Sequence, residues 1–266
     1  MSDYQALHVT EMDQQQEVDP DRPAWGILTG IGIWIFSYMS QLLVFGIWFG
    51  IQLQVGGASL MSREELDEWF RTPQVIFASI ISTAVAHILT LILCWAVVTR
   101  FGKQPFLASL GWSWAGFSRS GKFFLVFGVV AGIYIINIGL VQVLPESETT
   151  RFSEMLKSSN SVRVAVAIMA VLTAPIVEEM VYRGILYSPL KSRLGMSASV
   201  LIVTILFVLV HFHQYEGAWA SLVGLSILSF VLTLIRAVTR SILPCVAIHL
   251  VFNFVGAIFI VRPVLQ

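Results

Sequence analysis

Seven long apolar stretches divide the chain, at about 25–53, 74–99, 121–144, 163–182, 197–214, 217–236 and 242–262. Each is near the roughly 20 residues that a helix needs to cross a hydrocarbon layer. The first is long and carries Gly46 and Gly50, where it is expected to tilt or break. The fifth is short and ends in His211 and His213. Between them, SREELDEWFRT (62–72) intersperses Leu66, Trp69 and Phe70 among charges, and ETTRFSEMLKSS (148–159) gathers Phe152, Met155 and Leu156 on one helical face. Both predict short helices lying at a membrane surface. LGWSWAGFS (110–118) reads in the same way, with Trp112 and Trp114 suited to the headgroup region. The expected fold is all-α: a polytopic membrane protein of about seven transmembrane helices (six to eight) with short interfacial helices.

Composition supports this. The 266 residues are 56% hydrophobic and 12% charged, against about 25% charged in soluble domains. The formal net charge is zero, so no nucleic-acid partner is expected. Cys94 and Cys245 both sit in apolar runs and read as small core hydrophobes. Residues 1–24 are polar and acidic without the apolar core of a secretory signal. They are expected to be a disordered cytoplasmic tail. Basic residues near span ends favour the side that holds the amino terminus, ten against six. That bias places the terminus inside, in a plasma or inner membrane.

Few ionisable groups lie inside the spans. Every aspartate falls at or before Asp67, so a pair of membrane aspartates is excluded. There is no HExxH helix, and no GxSG-type serine accompanies a membrane histidine. What remains is His87, Glu178, Glu179, Arg183, His211, His213, His249 and the amide Asn253. Such groups in a membrane mark function by default. Plainer readings exist for each. A Glu–Arg pair can merely tie helices, and a His with an Asn can be polar glue. His87, alone on the second span, is assigned to that plainer role, and His213 is expected to face water.

Their spacing argues for joint use. Residues four apart share a helical face, and neighbours are about 100° apart. Glu179 therefore pairs with Arg183, which leaves Glu178 free to face a cavity. Phe207 with His211, and His249 with Asn253, likewise share faces. Gly195 is the expected stop between the fourth and fifth spans. In a hairpin folded there, Glu178 and His211 lie at one height, roughly 24 Å from the turn. His249 joins them if the polar stretch 188–195 projects beyond the membrane, which places the cavity in the inner half.

The motifs EEMVYR (178–183), FVLVH (207–211) and HLVFN (249–253) follow one another as EExxxR, FxxxH and HxxxN. In that order they resemble the CAAX prenyl protease and bacteriocin-processing family of intramembrane endopeptidases. The resemblance covers about 163–258; residues 25–162 form an N-terminal membrane region without a recognisable motif, and 163–262 would be the catalytic membrane core. It implies that Glu178 activates a water for attack on a peptide carbonyl, with His211 sharing that water. His249 and Asn253 would serve the oxyanion, and Glu179 and Arg183 would order the site. If a metal is used, Glu178, His211 and His249 would hold a zinc ion. A separate base would then be needed, and the helical face of Glu179 argues against it, so a metal-independent glutamate mechanism is the expected one. Implied partners are membrane lipids and a membrane-associated protein or peptide substrate. A transporter with a buried proton relay, and a non-catalytic immunity or scaffold protein retaining the motif, are the alternatives of other classes.

Overall fold

The structure, a computed structural model, describes residues 19–56, 61–147 and 149–264, and every regular element in these is helical. Twelve α-helices follow in order: α1 (Ile27–Gly56), α2 (Arg63–Phe70), α3 (Pro73–Val98), α4 (Phe106–Ser109), α5 (Arg119–Val143), α6 (Arg151–Ser158), α7 (Asn160–Leu172), α8 (Ala174–Glu179), α9 (Tyr187–Leu194), α10 (Met196–His211), α11 (Trp219–Thr239) and α12 (Leu243–Val261). A π-helical segment, Met180–Leu186, joins α8 to α9. Seven helical runs among the described residues are long and apolar enough to cross a membrane. Large side chains such as Leu43, Ile88, Ile138, Leu201 and Phe259 point outward, as suits an apolar solvent.

Local chemistry sets the boundaries. Ser62 and Glu65 form a reciprocal capping box at the start of α2. Ser118, Thr150 and Ser159 cap α5, α6 and α7 by accepting from the first-turn amides. Gly195, at φ 79°, ends α9 and begins α10, the stop expected from sequence. The two cysteines are free and buried.

Four expectations are corrected. First, α1 runs unbroken through Gly46 and Gly50. A Cβ at either would meet nothing within 4 Å, so no neighbouring group is at hand to take the backbone bonds a break would free, and hydrocarbon punishes unpaired backbone. Second, 110–118 is not an interfacial helix. It is an irregular loop with Gly111, Ala115 and Gly116 at positive φ. The turn between α11 and α12 holds it: Ser241 Oγ donates to the Gly111 carbonyl at 2.7 Å, and the Ile242 amide does so at 3.0 Å. Third, the fourth run extends from Asn160 to Leu194 rather than stopping near 182. Ser188, Pro189 and Leu190 lie within this run and pack inside the protein.

Fourth, the polar tail is not free up to residue 24; the part before Asp19 lies outside the described residues. The Asp21 carboxylate accepts from Arg236 Nη1 at 2.9 Å, from Lys191 Nζ at 2.6 Å and from Arg240 Nε at 3.0 Å. Asp19 pairs with Arg240 at the exposed rim. Arg236 is fully buried, so its charge requires a counter-charge brought to it.

The two amphipathic helices do form, and both lean on protein. Trp69 and Phe70 of α2 stack among Phe45, Trp48 and Phe49 of α1. Phe152, Met155 and Leu156 of α6 pack over Ile80 of α3 and Val162 and Val166 of α7. Two larger cores complete the bundle. One gathers α1, α10 and the 177–190 stretch, and the other gathers α5, α11 and α12.

Burial by itself would raise the Asp21 pKa. The hydrogen bond from Lys191 and the charge of Arg236 outweigh it and hold the carboxyl below its usual range. A group depressed on folding contributes stability above its unfolded value, about 3.9. That stability is lost as pH falls through the folded value. This clasp should therefore leave the melting temperature flat from pH 7 to about 5 and add an acid limb below about pH 4, which Asp21→Asn removes. Thermal denaturation in detergent across pH checks this.

Candidate active site

Glu179 ends α8 and Arg183 lies one turn on, inside the π segment. Their pairing is as the spacing predicts: Arg183 Nη1 donates to Glu179 Oε1 at 2.9 Å, and both side chains are 0% exposed. The rest of the guanidinium is also engaged. Nη2 donates to the Ser229 carbonyl and hydroxyl, each at 2.9 Å, and Nε donates to Thr233 Oγ1 at 3.2 Å. Ser229 is the middle residue of the 21-residue α11, so the pair sits deep in the span. These four hydrogen bonds from the guanidinium offset much of the cost of burying both charges.

Glu179 does more than meet Arg183. Its Oε1 also accepts from His249 Nδ1 at 2.8 Å, while Oε2 is buried without a partner. Glu178 approaches the other edge of the same ring, with Oε2 3.7 Å from Nε2. The two glutamates thus diverge, as helical neighbours must, and still meet one imidazole, because its nitrogens also point apart. Spacing predicts the Arg183 contact; the second donor, His249, comes from α12 and is set by packing. Glu178 is the accessible one, 21% exposed against 0%.

His211 closes α10. Its Nδ1 lies 2.7 Å from the Phe207 carbonyl one turn back. A carbonyl only accepts, so Nδ1 carries the proton and Nε2 keeps its lone pair. An ionised Glu179 accepts from the Nδ1–H of His249, and the other nitrogen, Nε2, is turned toward Glu178. The Phe207 ring lies between the two histidines, its centroid 4.7 Å from that of His211 and 6.2 Å from that of His249. It also stacks edge-on with Tyr182 at 5.0 Å and faces the Arg183 guanidinium at 5.2 Å. Phe207 is the apolar floor of the site.

Asn253 is only partly free. Its Nδ2 donates to the Ala170 carbonyl at 2.8 Å, tying α12 to α7 and leaving one amide hydrogen. His87 bonds Thr173 Oγ1 at 2.9 Å, the helix tie expected of it, and His213 faces outward beside Glu216. His249 is six residues, about 9 Å, along α12 from the end held by Asp21 and Arg240. The site thus lies in the half of the bundle nearer the N-terminal segment.

Several residues that shape the site carried no sequence signal. Ser229 and Thr233 hold Arg183, and single hydroxyls in an apolar helix are too common to single out. The π segment was also missed, and with it the donors that fill its carbonyls. Trp25 Nε1 donates to the Ile185 carbonyl at 2.9 Å, and Arg236 Nε donates to the Arg183 carbonyl at 3.2 Å. Arg236, the lone charged residue within 219–239, was the one available cue.

As metal donors, two imidazoles with inward-bonded Nδ1 atoms and a carboxylate have suitable chemistry. Their placement does not fit: among the described residues no three His, Cys, Asp or Glu side chains are grouped to hold an ion. No catalytic step is therefore routed through a metal.

A family model described as Type II CAAX prenyl endopeptidase Rce1-like matches residues 160–255. The matched stretch contains Glu178, Glu179, Arg183, His211, His249 and Asn253, in agreement with the resemblance carried by the three motifs. Similarity to this family points to a membrane-embedded peptidase. Neither the curated proteins nor the solved structures give a match.

The contrast between the two glutamates has a measurable consequence. Glu179→Ala leaves the Arg183 charge buried without its counter-ion, at a cost of about 3–5 kcal/mol. Glu178→Ala removes a partly exposed group that makes no short hydrogen bond, and should change stability by under about 1 kcal/mol. Melting temperatures of the two variants in one detergent should separate them clearly.

Proposed function

We propose that the protein is an intramembrane endopeptidase that hydrolyses a peptide bond of a membrane-associated protein or peptide. The observation that carries this reading is the division of labour at His249: Glu179, locked to Arg183, holds one nitrogen, and Glu178, partly exposed, is left beside the other. A catalytic carboxylate needs such freedom, and a helix tie does not.

In this reading a water lies between the Glu178 carboxylate and His211 Nε2, both acceptors. Its two hydrogens point to them and its oxygen lone pair points at the scissile carbonyl. Glu178 takes the proton as the C–O bond forms, and general-base help of this kind is worth roughly 10²–10⁴-fold. The oxyanion is met by a protonated His249 Nε2 and by the remaining amide hydrogen of Asn253. Donors held in a dry site stabilise charge strongly because they need no reorganisation. The proton on Glu178 then passes to the leaving amine. Glu179 and Arg183 keep the ring of His249 fixed throughout. The amino terminus, and with it the site, faces the cytoplasm.

The test uses a farnesylated peptide ending in a CAAX tetrapeptide, the substrate class in the matched family's description, alongside the same peptide without lipid. Purified wild-type protein in lipid nanodiscs should cleave the lipidated peptide. Glu178→Gln keeps the shape but cannot take a proton, so turnover should fall roughly 10²–10⁴-fold with the fold intact. Near wild-type cleavage by this variant would sink the mechanism. Asn253→Ala should raise the barrier by about 3 kcal/mol. Its kcat, read beside its melting temperature, separates the oxyanion role from the bond to Ala170. Prolonged chelation, with zinc content measured afterwards, should leave the activity in place.

A further inference from the structure

We propose that the segment from Pro20 to Trp25 is a clasp that sets the register of the π segment. Asp21 and Trp25 are then positioning residues for the two glutamates. The inference rests on the hydrolytic reading of Glu178, but its structural half can be tested without any substrate.

A π turn holds one residue more than an α turn, with bonds from residue i to i+5. Here the Tyr187 amide donates to the Tyr182 carbonyl. Were the segment to relax to α register, everything on one side of it would turn by about 100° relative to the other. With α9 and α10 packed, that turn falls on α8. Glu178 would leave the cavity edge of His249, and Glu179 would leave Arg183.

What selects the π register is visible at its carbonyls. The widened turn offers the Arg183 oxygen to Arg236 Nε at 3.2 Å, because the Tyr187 amide is taken by Tyr182; the Ile185 oxygen is open because Pro189, four residues on, has no N–H, and Trp25 Nε1 fills it at 2.9 Å. Gly30 lets α1 come this near: a Cβ there would lie 3.2 Å from the Ile185 oxygen. Arg236 is buried and is held by Asp21 at 2.9 Å, the Ser188 hydroxyl at 3.0 Å and the Pro20 carbonyl at 3.2 Å. A continuous path results. It runs from the Asp21 carboxylate to Arg236, to the Arg183 backbone, and from the Arg183 guanidinium through Glu179 to His249 Nδ1. Arg236, Arg183 and Glu179 are all 0% exposed, so water cannot replace a missing link. Without Asp21, Arg236 carries a buried charge with no counter-charge and must turn toward solvent. The Arg183 carbonyl then loses its donor, and the α register, which fills that carbonyl internally, becomes competitive.

The experiment is backbone hydrogen exchange by mass spectrometry on the full chain in nanodiscs, paired with turnover of the farnesylated peptide. Asp21→Asn should speed exchange in 180–190 roughly tenfold or more, while α11 and α12 stay protected. Its kcat should fall roughly 100-fold at unchanged KM. Trp25→Phe keeps a ring and deletes only the indole N–H; it should give the same pattern more weakly, which guards against a variant that fails to fold. Asp19→Asn, at the exposed rim, should match wild type in both. Wild-type exchange in 180–190 for both Asp21→Asn and Trp25→Phe overturns the clasp. Faster exchange there with unchanged kcat overturns its positioning role. If wild-type protein cleaves no lipidated peptide, the proposed function fails, and the exchange result alone decides the clasp.

Discussion

The centre of this molecule depends on one buried ion pair. Glu179 and Arg183 are wholly removed from solvent in the middle of a helical bundle. Such a pair survives only if nearly every remaining donor finds an acceptor. That demand brings in α11 through Ser229 and Thr233, and α12 through His249. Three spans are thus drawn to one point by the chemistry of two side chains. The same demand leaves Glu179 wholly buried, whereas its neighbour Glu178 stays 21% exposed.

The π segment is the second constraint, and it answers the first. Within one turn the chain must send Glu178 to the cavity, Glu179 to the interior and Arg183 to α11. The widened turn provides this but leaves the Arg183 carbonyl, and Pro189 leaves that of Ile185, in need of outside donors. They come from opposite ends of the sequence, Trp25 before the first span and Arg236 near the end of the sixth. The N-terminal half of the chain carries no motif of its own, yet it reaches the site through these contacts.

Phe207 shows how the apolar surroundings contribute. It packs against Tyr182, His211, His249 and Arg183 together. A ring in that place excludes water from the inner edges of both histidines, so their Nδ1 bonds are undisturbed and only the Nε2 edges are left for chemistry.

The spans, the turn at Gly195, both amphipathic helices and the Glu179–Arg183 pair were legible in the sequence, because each follows from periodicity or spacing within a few residues. The motif residues were legible as well, since ionisable groups are conspicuous in apolar helices. What the sequence could not disclose is which nitrogen of His249 each glutamate meets, that Asn253 is half committed to Ala170, or that Asp21 belongs to the core. Gly46 and Gly50 promised a break that did not occur, and 110–118 promised a helix that became a loop clamped by Ser241. These outcomes turn on partners 70 or more residues away, or on the absence of one. Local pattern fixes which groups must leave the hydrocarbon; only packing decides which partner each one finds, because a buried polar atom takes the nearest geometry that satisfies it.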